Sequence, residues 1–576
     1  MNDFPPELID RICAFLKHDD LKHMLLVSPY FQVASERHSG AFSSFAFRNN
    51  DIDTETFLST YSGRRLSYLR YVEIHTNFPS LEPWDADPDE LPCRGSQEEL
   101  LAKDESFTEQ VQRAFETMKK VEDEANRAHY GSGRSQLTIL TPIQWVDQCF
   151  CRHRVSSAGR VHLLRPDDLP ELRSVRGLSI CNPELSANEA GYNRATSRLD
   201  WRVLVDVASR LPNLEYLGSR LGVEEWRLPD VDPPRRHFEY DFEGCAMDSR
   251  VGLAMALAEK KLPATLRNVQ LDFLNDLEQH LQAHEGGGPD YVRPATCDLF
   301  SSSLRSLASN LRRLDLRLIA DSALFWPVED GAVAYFPNLE LLKIMFHPMA
   351  PSGSWYFHGP GGEGQYDIGY RVTANMYPPL NSSDPHDANW HFEEFSDSGI
   401  GSRCFRIVPN EETMRPFLEA FARAAGNMHA LRAFSLWSPL PGGNAWGIAY
   451  VKPGEQPTLP PANCSSSRQL WWKVHRWRPS ASLHEQFQNI GRAGYGEELL
   501  EHWNDDEDGW TDQEIFTESL PALPGLSEYP GWSSARRSYQ EVAYSWAEYE
   551  RRRQKPRQQD LLQRGCLLQR IEKVYN

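Results

Sequence analysis

The chain has 576 residues, 40% of them hydrophobic and including 16 Trp, 21 Tyr and 27 Phe, which is ample for a large packed core and excludes a disordered chain. Its formal charge of −20, from 81 acidic against 61 basic residues, disfavours a general attraction to nucleic-acid phosphates. No apolar run reaches the length of a membrane span, and ten cysteines scattered without framework spacing read as reduced thiols.

The first pattern along the chain falls in residues 4 to 31. Pro5 and Pro6 fit the first turn of a helix, where a missing N–H costs nothing, and Leu8, Ile9, Ile12, Phe15 and Leu16 follow at helical spacing. Asp19 is placed to cap a second helix carrying Leu21, Met24, Leu25 and Leu26, and Ser28-Pro29 reads as the cap and first position of a third. A unit of about 45 residues buries too little apolar surface to be comfortably stable alone, so a partner or the following domain is expected to cover part of it. The same pattern would also serve as the helical cap of a larger solenoid.

The joint order Phe4-Pro5-Pro6-Glu7-Leu8, Ile12, Phe15-Leu16, Asp20-Leu21, Val27-Ser28 and Phe31 resembles an F-box, the short helical module by which substrate receptors dock onto the Skp-type adaptor of a cullin-based ubiquitin ligase. Phe4 stands where that family usually has leucine, and Ser28-Pro29 where it often has cysteine and a basic residue. The resemblance implies that Pro5, Leu8, Ile12, Leu16, Leu21, Val27 and Phe31 form or support the adaptor-facing surface. The segment begins three residues after Met1, which leaves no room for a secretion signal and leads to the expectation of a cytoplasmic or nuclear protein.

Beyond residue 45 a weak repeat sets leucines at a spacing that suits short strands. It passes through Leu66 to Ile74, Leu169 to Ile180, Leu211 to Leu217 and Pro263 to Leu271, then Leu311 to Leu316, Phe336 to Ile344 and Leu431 to Leu436. Amphipathic helices are predicted before several of them, at Trp201 to Arg210 and Thr413 to Met428. Helix then strand, repeated at irregular intervals, is the grammar of a degenerate leucine-rich-repeat-like solenoid. An F-box followed by such units resembles the large class of fungal F-box proteins.

Insertions are expected at about 82–135, with a charged helix from Ser96 to Arg127 read as a solvated excursion, and at 348–412, where aromatics around Gly359 to Gly364 suggest a β-hairpin. The aromatic stretch Trp437, Trp446, Tyr450, Trp471, Trp472 and Trp477 should close the array as its last strands. From Leu483 on, Phe487, Ile490, Leu499, Leu500 and Trp503 suggest helices, followed by a basic helix from Ser534 to Arg553. The expected class is therefore α/β (α+β): a small all-α F-box over residues 1–45, a leucine-rich-repeat-like array over 46–480, and a helical extension over 481–576.

Signatures of catalysis are wanting. In Gly359-Pro360-Gly361-Gly362-Glu363-Gly364 the proline removes a backbone donor and no amphipathic helix follows, so the phosphate site of a dinucleotide turn has no basis. Cys149, Cys151 and His153 lack a second ligand pair at zinc spacing. Asn504, Asp506, Asp508 and Gly509 open a calcium-loop pattern whose twelfth position is Ile515, which offers no bidentate carboxylate. The expectation is a non-catalytic receptor with no cofactor, metal, nucleic acid or membrane partner. Its partners would be the Skp-type adaptor, a cullin through it, and a protein client. The alternative is an interaction scaffold whose F-box binds partners without client ubiquitination.

Overall fold

The computed structural model describes residues 4–48, 51–81, 96–130, 133–146, 159–181, 194–196, 198–221, 243–274, 286–328, 333–377, 406–440, 444–456 and 465–503. They form a mixed α/β fold dominated by a 13-stranded, mainly parallel sheet. Three helices come first: α1 (Pro6–Phe15), α2 (His18–Met24) and α3 (Pro29–Ser39). Strand β1 (Ser44–Phe47), helix α4 (Asp51–Tyr61), β2 (Tyr71–Leu81), helix α5 (Gln97–Arg127) and β3 (Ser135–Val146) start the sheet. It continues through β4 (Val175–Cys181), β5 (Arg194–Thr196), β6 (Tyr216–Arg220) and β7 (Asn268–Asp272). After the two-residue β8 (Pro289–Asp290) come β9 (Arg313–Leu318) and β10 (Leu341–Phe346), and after the short β11 (Phe357–His358), β12 (Tyr370–Arg371) and β13 (Val408–Pro409) comes β14 (Ala433–Leu440). The last three are β15 (Asn444–Val451), β16 (Arg468–Lys473) and β17 (Leu499–Trp503).

The strand order follows the chain: β1, β2, β3, β4, β6, β7, β9, β10 and β14 lie side by side, each parallel to the one before. Strands β15 and β16 then run antiparallel, β17 returns parallel to β16, and β5 pairs antiparallel with β3 off the main path. In β9, Leu314, Leu316 and Leu318 are buried while Arg313, Asp315 and Arg317 face the other side, as the two-residue period requires. The leucines join one apolar cluster with the inner faces of the crossover helices, including Leu304 of the helix Leu299–Ala308 and Phe417 and Phe421 of the helix Glu411–Gly426. A second, smaller cluster on the opposite face joins Met345, Trp437, Ala449, Val451 and Trp471.

The strands expected from the leucine spacing are present as β2, β4, β6, β7, β9, β10 and β14, and the aromatic stretch supplies β14, β15 and β16. Helices form at Arg202–Ala208 and Glu411–Gly426, close to their predicted bounds.

Three local expectations are corrected. Helix α5 is not a solvated insertion: Phe107, Val111, Phe115, Met118 and Val121 recur on one face and are buried in the main cluster, leaving the charges other than buried Glu122 exposed or half-exposed. It begins at a capping box in which Ser96 and Glu99 satisfy each other's backbone N–H groups. The segment around Gly359 to Gly364 is a compact turn, with Gly359 N–H donating to the Glu363 carbonyl at 2.9 Å. Its strand β11 pairs antiparallel with the distant β13 rather than with an adjacent hairpin arm. Leu499, Leu500 and Trp503 form strand β17 and not a helix, because Trp503 stacks on Trp472 of β16 with ring centroids 4.9 Å apart and planes at 5°. Cys149, Cys151 and His153, the Asn504 to Ile515 turn and the basic segment from Ser534 lie outside the described residues.

Candidate functional site

Helices α1 to α3 build a small unit with its own core. Ile9 and Cys13 of α1, Leu21 of α2, and Phe31 and Ala34 of α3 are buried against one another, with Leu16 and Met24 half-buried beside them. Local chemistry sets the helix starts. Ser28 caps α3, its Oγ accepting the Phe31 N–H, and Pro29 takes the first position. Asp19 does not cap α2; the helix starts one residue earlier at His18, placing Asp19 and Asp20 in its first turn, where carboxylates favour the helix dipole. Asp19 accepts a hydrogen bond from Lys22 at 2.9 Å, which holds its carboxyl below the ordinary carboxylate value.

The unit is tied to the sheet at one point of strong chemistry. Glu36 of α3, only 3% exposed, accepts hydrogen bonds from Arg64 at 3.0 Å and Arg65 at 2.6 Å, both in the segment before β2. Burial alone would raise its pKa, but the two guanidiniums outweigh burial and hold the carboxyl low. Arg65 also lies over the Phe42 ring, and the Tyr68 hydroxyl donates to the Val33 carbonyl at 3.4 Å.

What remains is apolar and exposed. On α1, Leu8, Ile12 and Phe15 follow Phe4 at intervals of about one helical turn, and Phe15 is 82% exposed. Between α2 and α3, Leu25, Leu26 and Val27 are exposed in succession, with Tyr30 just beyond, and Leu26 is 91% exposed. Single exposed apolar residues are ordinary, but so many on one unit of under forty residues form a surface suited to a partner. Burying a leucine of this kind on docking contributes about 1.5 to 3 kcal/mol.

The seven residues expected at the surface divide. Pro5, Leu8, Ile12 and Val27 are exposed, Leu16 is half-buried, and Leu21 and Phe31 lie in the unit's own core, where they support the surface from behind. Phe15, Leu26 and Tyr30 belong to the exposed set and were not among the seven. The signal for them was available in the chain. Leu25-Leu26-Val27 is a run that no single helix face can bury, and α1 carries two apolar stripes, of which one core needs only one.

Among the described residues, no three His, Cys, Asp or Glu are grouped so as to hold a metal ion, and no helix is long and apolar enough to cross a membrane. No family model matches the chain, and no curated protein matches it.

Proposed function

We propose that the chain is the substrate-recognition subunit of a cullin-based ubiquitin ligase. In this reading α1 to α3 are an F-box that docks the Skp-type adaptor, and through it a cullin, while the parallel array is a diverged leucine-rich-repeat-like solenoid that holds a protein client. The observation that carries it is the exposed apolar set of Leu8, Ile12, Phe15, Leu26 and Val27 on a three-helix unit whose residue order resembles that module. Sequential parallel strands alternating with crossover helices support the solenoid half of the reading. No bond chemistry is assigned to any residue. The chain would act by proximity, raising the effective concentration of client lysines beside the activated ubiquitin conjugate.

Co-expression with the adaptor tests this. Wild type should retain the adaptor through affinity purification and gel filtration, and a Leu8→Asp, Leu26→Asp variant with unchanged thermal melting should lose it. Equal retention by both would remove the assignment. Addition of the remaining ligase subunits then separates a receptor from a scaffold: a receptor yields ubiquitinated bound protein, a scaffold none.

A further inference from the structure

The rim of the sheet where the parallel strands begin carries a row of charges at a single level. Glu215, Arg267, Arg312, Glu340 and Arg432 stand immediately before β6, β7, β9, β10 and β14. Arg176 of β4 and Lys452, which follows the reversed strand β15, complete the row at its ends. Backbone bonds hold neighbours in step: the N–H of Glu215 donates to Arg176 at 2.7 Å, Arg312 to Arg267 at 2.7 Å, Glu340 to Arg312 at 2.8 Å, Arg432 to Glu340 at 2.8 Å and Lys452 to Arg432 at 2.8 Å. The row therefore holds five cations and two carboxylates, a positive edge on a chain whose overall charge is −20.

Part of this has an internal purpose. Arg267 donates to the carbonyls of Ala264 and Leu266, closing the turn before its strand, and Arg70 before β2 makes the same pair of bonds to Ser67 and Leu69. Glu215 is shared between Arg176 at 3.6 Å and Arg134 at 3.1 Å, and Glu340 between Arg432 at 3.5 Å and Arg312 at 3.9 Å. Arg432 is also held at two points by Glu455, at 2.8 and 3.1 Å, yet Glu215, Glu340 and Glu455 still face six cations, Arg134, Arg176, Arg267, Arg312, Arg432 and Lys452, so the edge stays positive. Arg134 and Arg312 keep side-chain exposures of 66% and 62%, and surface pairs of this kind stabilise the fold by about 0 to 1 kcal/mol. Turn closure and weak ladder pairs leave the recurrence of cations at this level, with Arg134 and Arg312 exposed, unexplained.

We propose that this rim docks an acidic, extended segment of a partner protein. Charge complementarity points to the partner's sign, and the spacing points to its form. Six inter-strand steps of about 4.8 Å from Arg176 to Lys452 span about 29 Å, the reach of about nine extended residues. Glu215 and Glu340 interrupt the row. A nucleic acid, charged at every unit, would meet both carboxylates, whereas a peptide can set neutral residues opposite them, and the field of an acidic chain repels a polyanion as a whole. This surface stands independently of the adaptor reading, since none of its residues belongs to α1 to α3.

Fluorescence anisotropy on the full chain tests it with three probes: a nine-residue peptide alternating Glu and Ser, its Lys and Ser counterpart, and a nine-nucleotide single-stranded DNA. The acidic peptide should bind, and should weaken as salt rises from about 50 to 300 mM, since surface charge is screened over that range. An Arg134→Glu, Arg312→Glu double variant should bind about fivefold more weakly or worse, and Glu340→Gln should tighten binding, as rim charges do elsewhere. All three substitutions fall at exposed or half-exposed side chains, and thermal melting checks that the variants stay folded. Acidic-peptide binding no better than that of the lysine peptide would overturn the proposal, as would binding by the double variant within about twofold of wild type or tighter binding of the DNA.

Discussion

The leucines of β9 and Leu8, Leu25 and Leu26 of the N-terminal three-helix unit have the same transfer free energy and opposite surroundings. Leu314, Leu316 and Leu318 are buried because each strand has a neighbour on both sides and a helix layer over one face, so every unit completes the burial begun by the one before. The three-helix unit has a core of only five buried residues, and Leu8, Leu25 and Leu26 stand outside it. The difference teaches that the array buries its apolar residues through its neighbours, whereas the three-helix unit buries five and leaves Leu8, Leu25 and Leu26 exposed.

The sharpest way to break that contrast is to charge one residue of each kind. Leu316→Asp puts an unpaired carboxylate at a site with no exposure, between β7 and β10, and is expected to cost more than about 4 kcal/mol, with loss of cooperative melting. A cooperative transition at the wild-type temperature would mean the sheet does not share one core. Next in size is Phe107→Ala in α5, for which urea unfolding should report a loss of about 3 to 5 kcal/mol. A loss under about 1 kcal/mol would return α5 to a solvated excursion.

The pattern of the chain made some of this legible and left the rest hidden, for identifiable reasons. Strands β7 and β9 were readable because Leu or Val at every second position with polar residues between admits little else. Helix α5 was misjudged because its charged face dominates composition, whereas the stripe from Phe107 to Val121 shows only when residues are taken at helical spacing. β17 was misread because Leu499-Leu500 carries no alternation, and what makes it a strand is a tertiary contact, Trp503 on Trp472. β1 and β3 went unread, the second because its start at Ser135 lay within a segment taken as insertion. At the candidate site the motif located the helices but could not sort their faces. Ile9 and Leu8 are adjacent aliphatics of equal hydrophobicity, and only the packing of α3 against α1 decides that Ile9 is inside.

Two carboxylates, half-buried Asp321 and buried Glu36, extend the comparison to pH. Asp321, which caps the turn Ser322–Leu324 by accepting the Ala323 N–H, is pushed up to about 6, by burial first and then by the neighbouring Asp298. A folded value raised above the ordinary 3.8 means the folded state holds its proton more tightly, so this group's contribution is most favourable below pH 3.8 and is lost as pH rises to about 6. Asp321→Asn should therefore gain on wild type between those limits, by up to about 2 kcal/mol in urea unfolding at pH 7 relative to pH 4. Glu36 runs the other way. Its folded value is depressed below the ordinary 4.5 by Arg65 and Arg64, so its stabilisation is present above pH 4.5 and is lost as pH falls through the folded value. Glu36→Gln should cost stability at pH 7, with the difference from wild type shrinking in acid. Parallel pH profiles for the two variants would contradict both environments.

The smallest expected effect is the most informative about the N-terminal helices. Phe15→Asp and Leu26→Asp replace side chains that are 82% and 91% exposed, so neither strands a charge in a core nor opens a cavity, and unfolding of the isolated chain should shift by no more than about 0.5 kcal/mol. Leu21→Asp is the matched control: it lies in the same unit, a few residues away, yet is buried against Ile9 and Phe31, and should unfold the unit. If Leu26→Asp melts like Leu21→Asp, the exposed set is part of the chain's own packing and the contrast with β9 disappears. If it melts like wild type, Phe15 and Leu26 stand at positions where the isolated chain gains nothing from them, which is the condition the proposed docking of an adaptor requires.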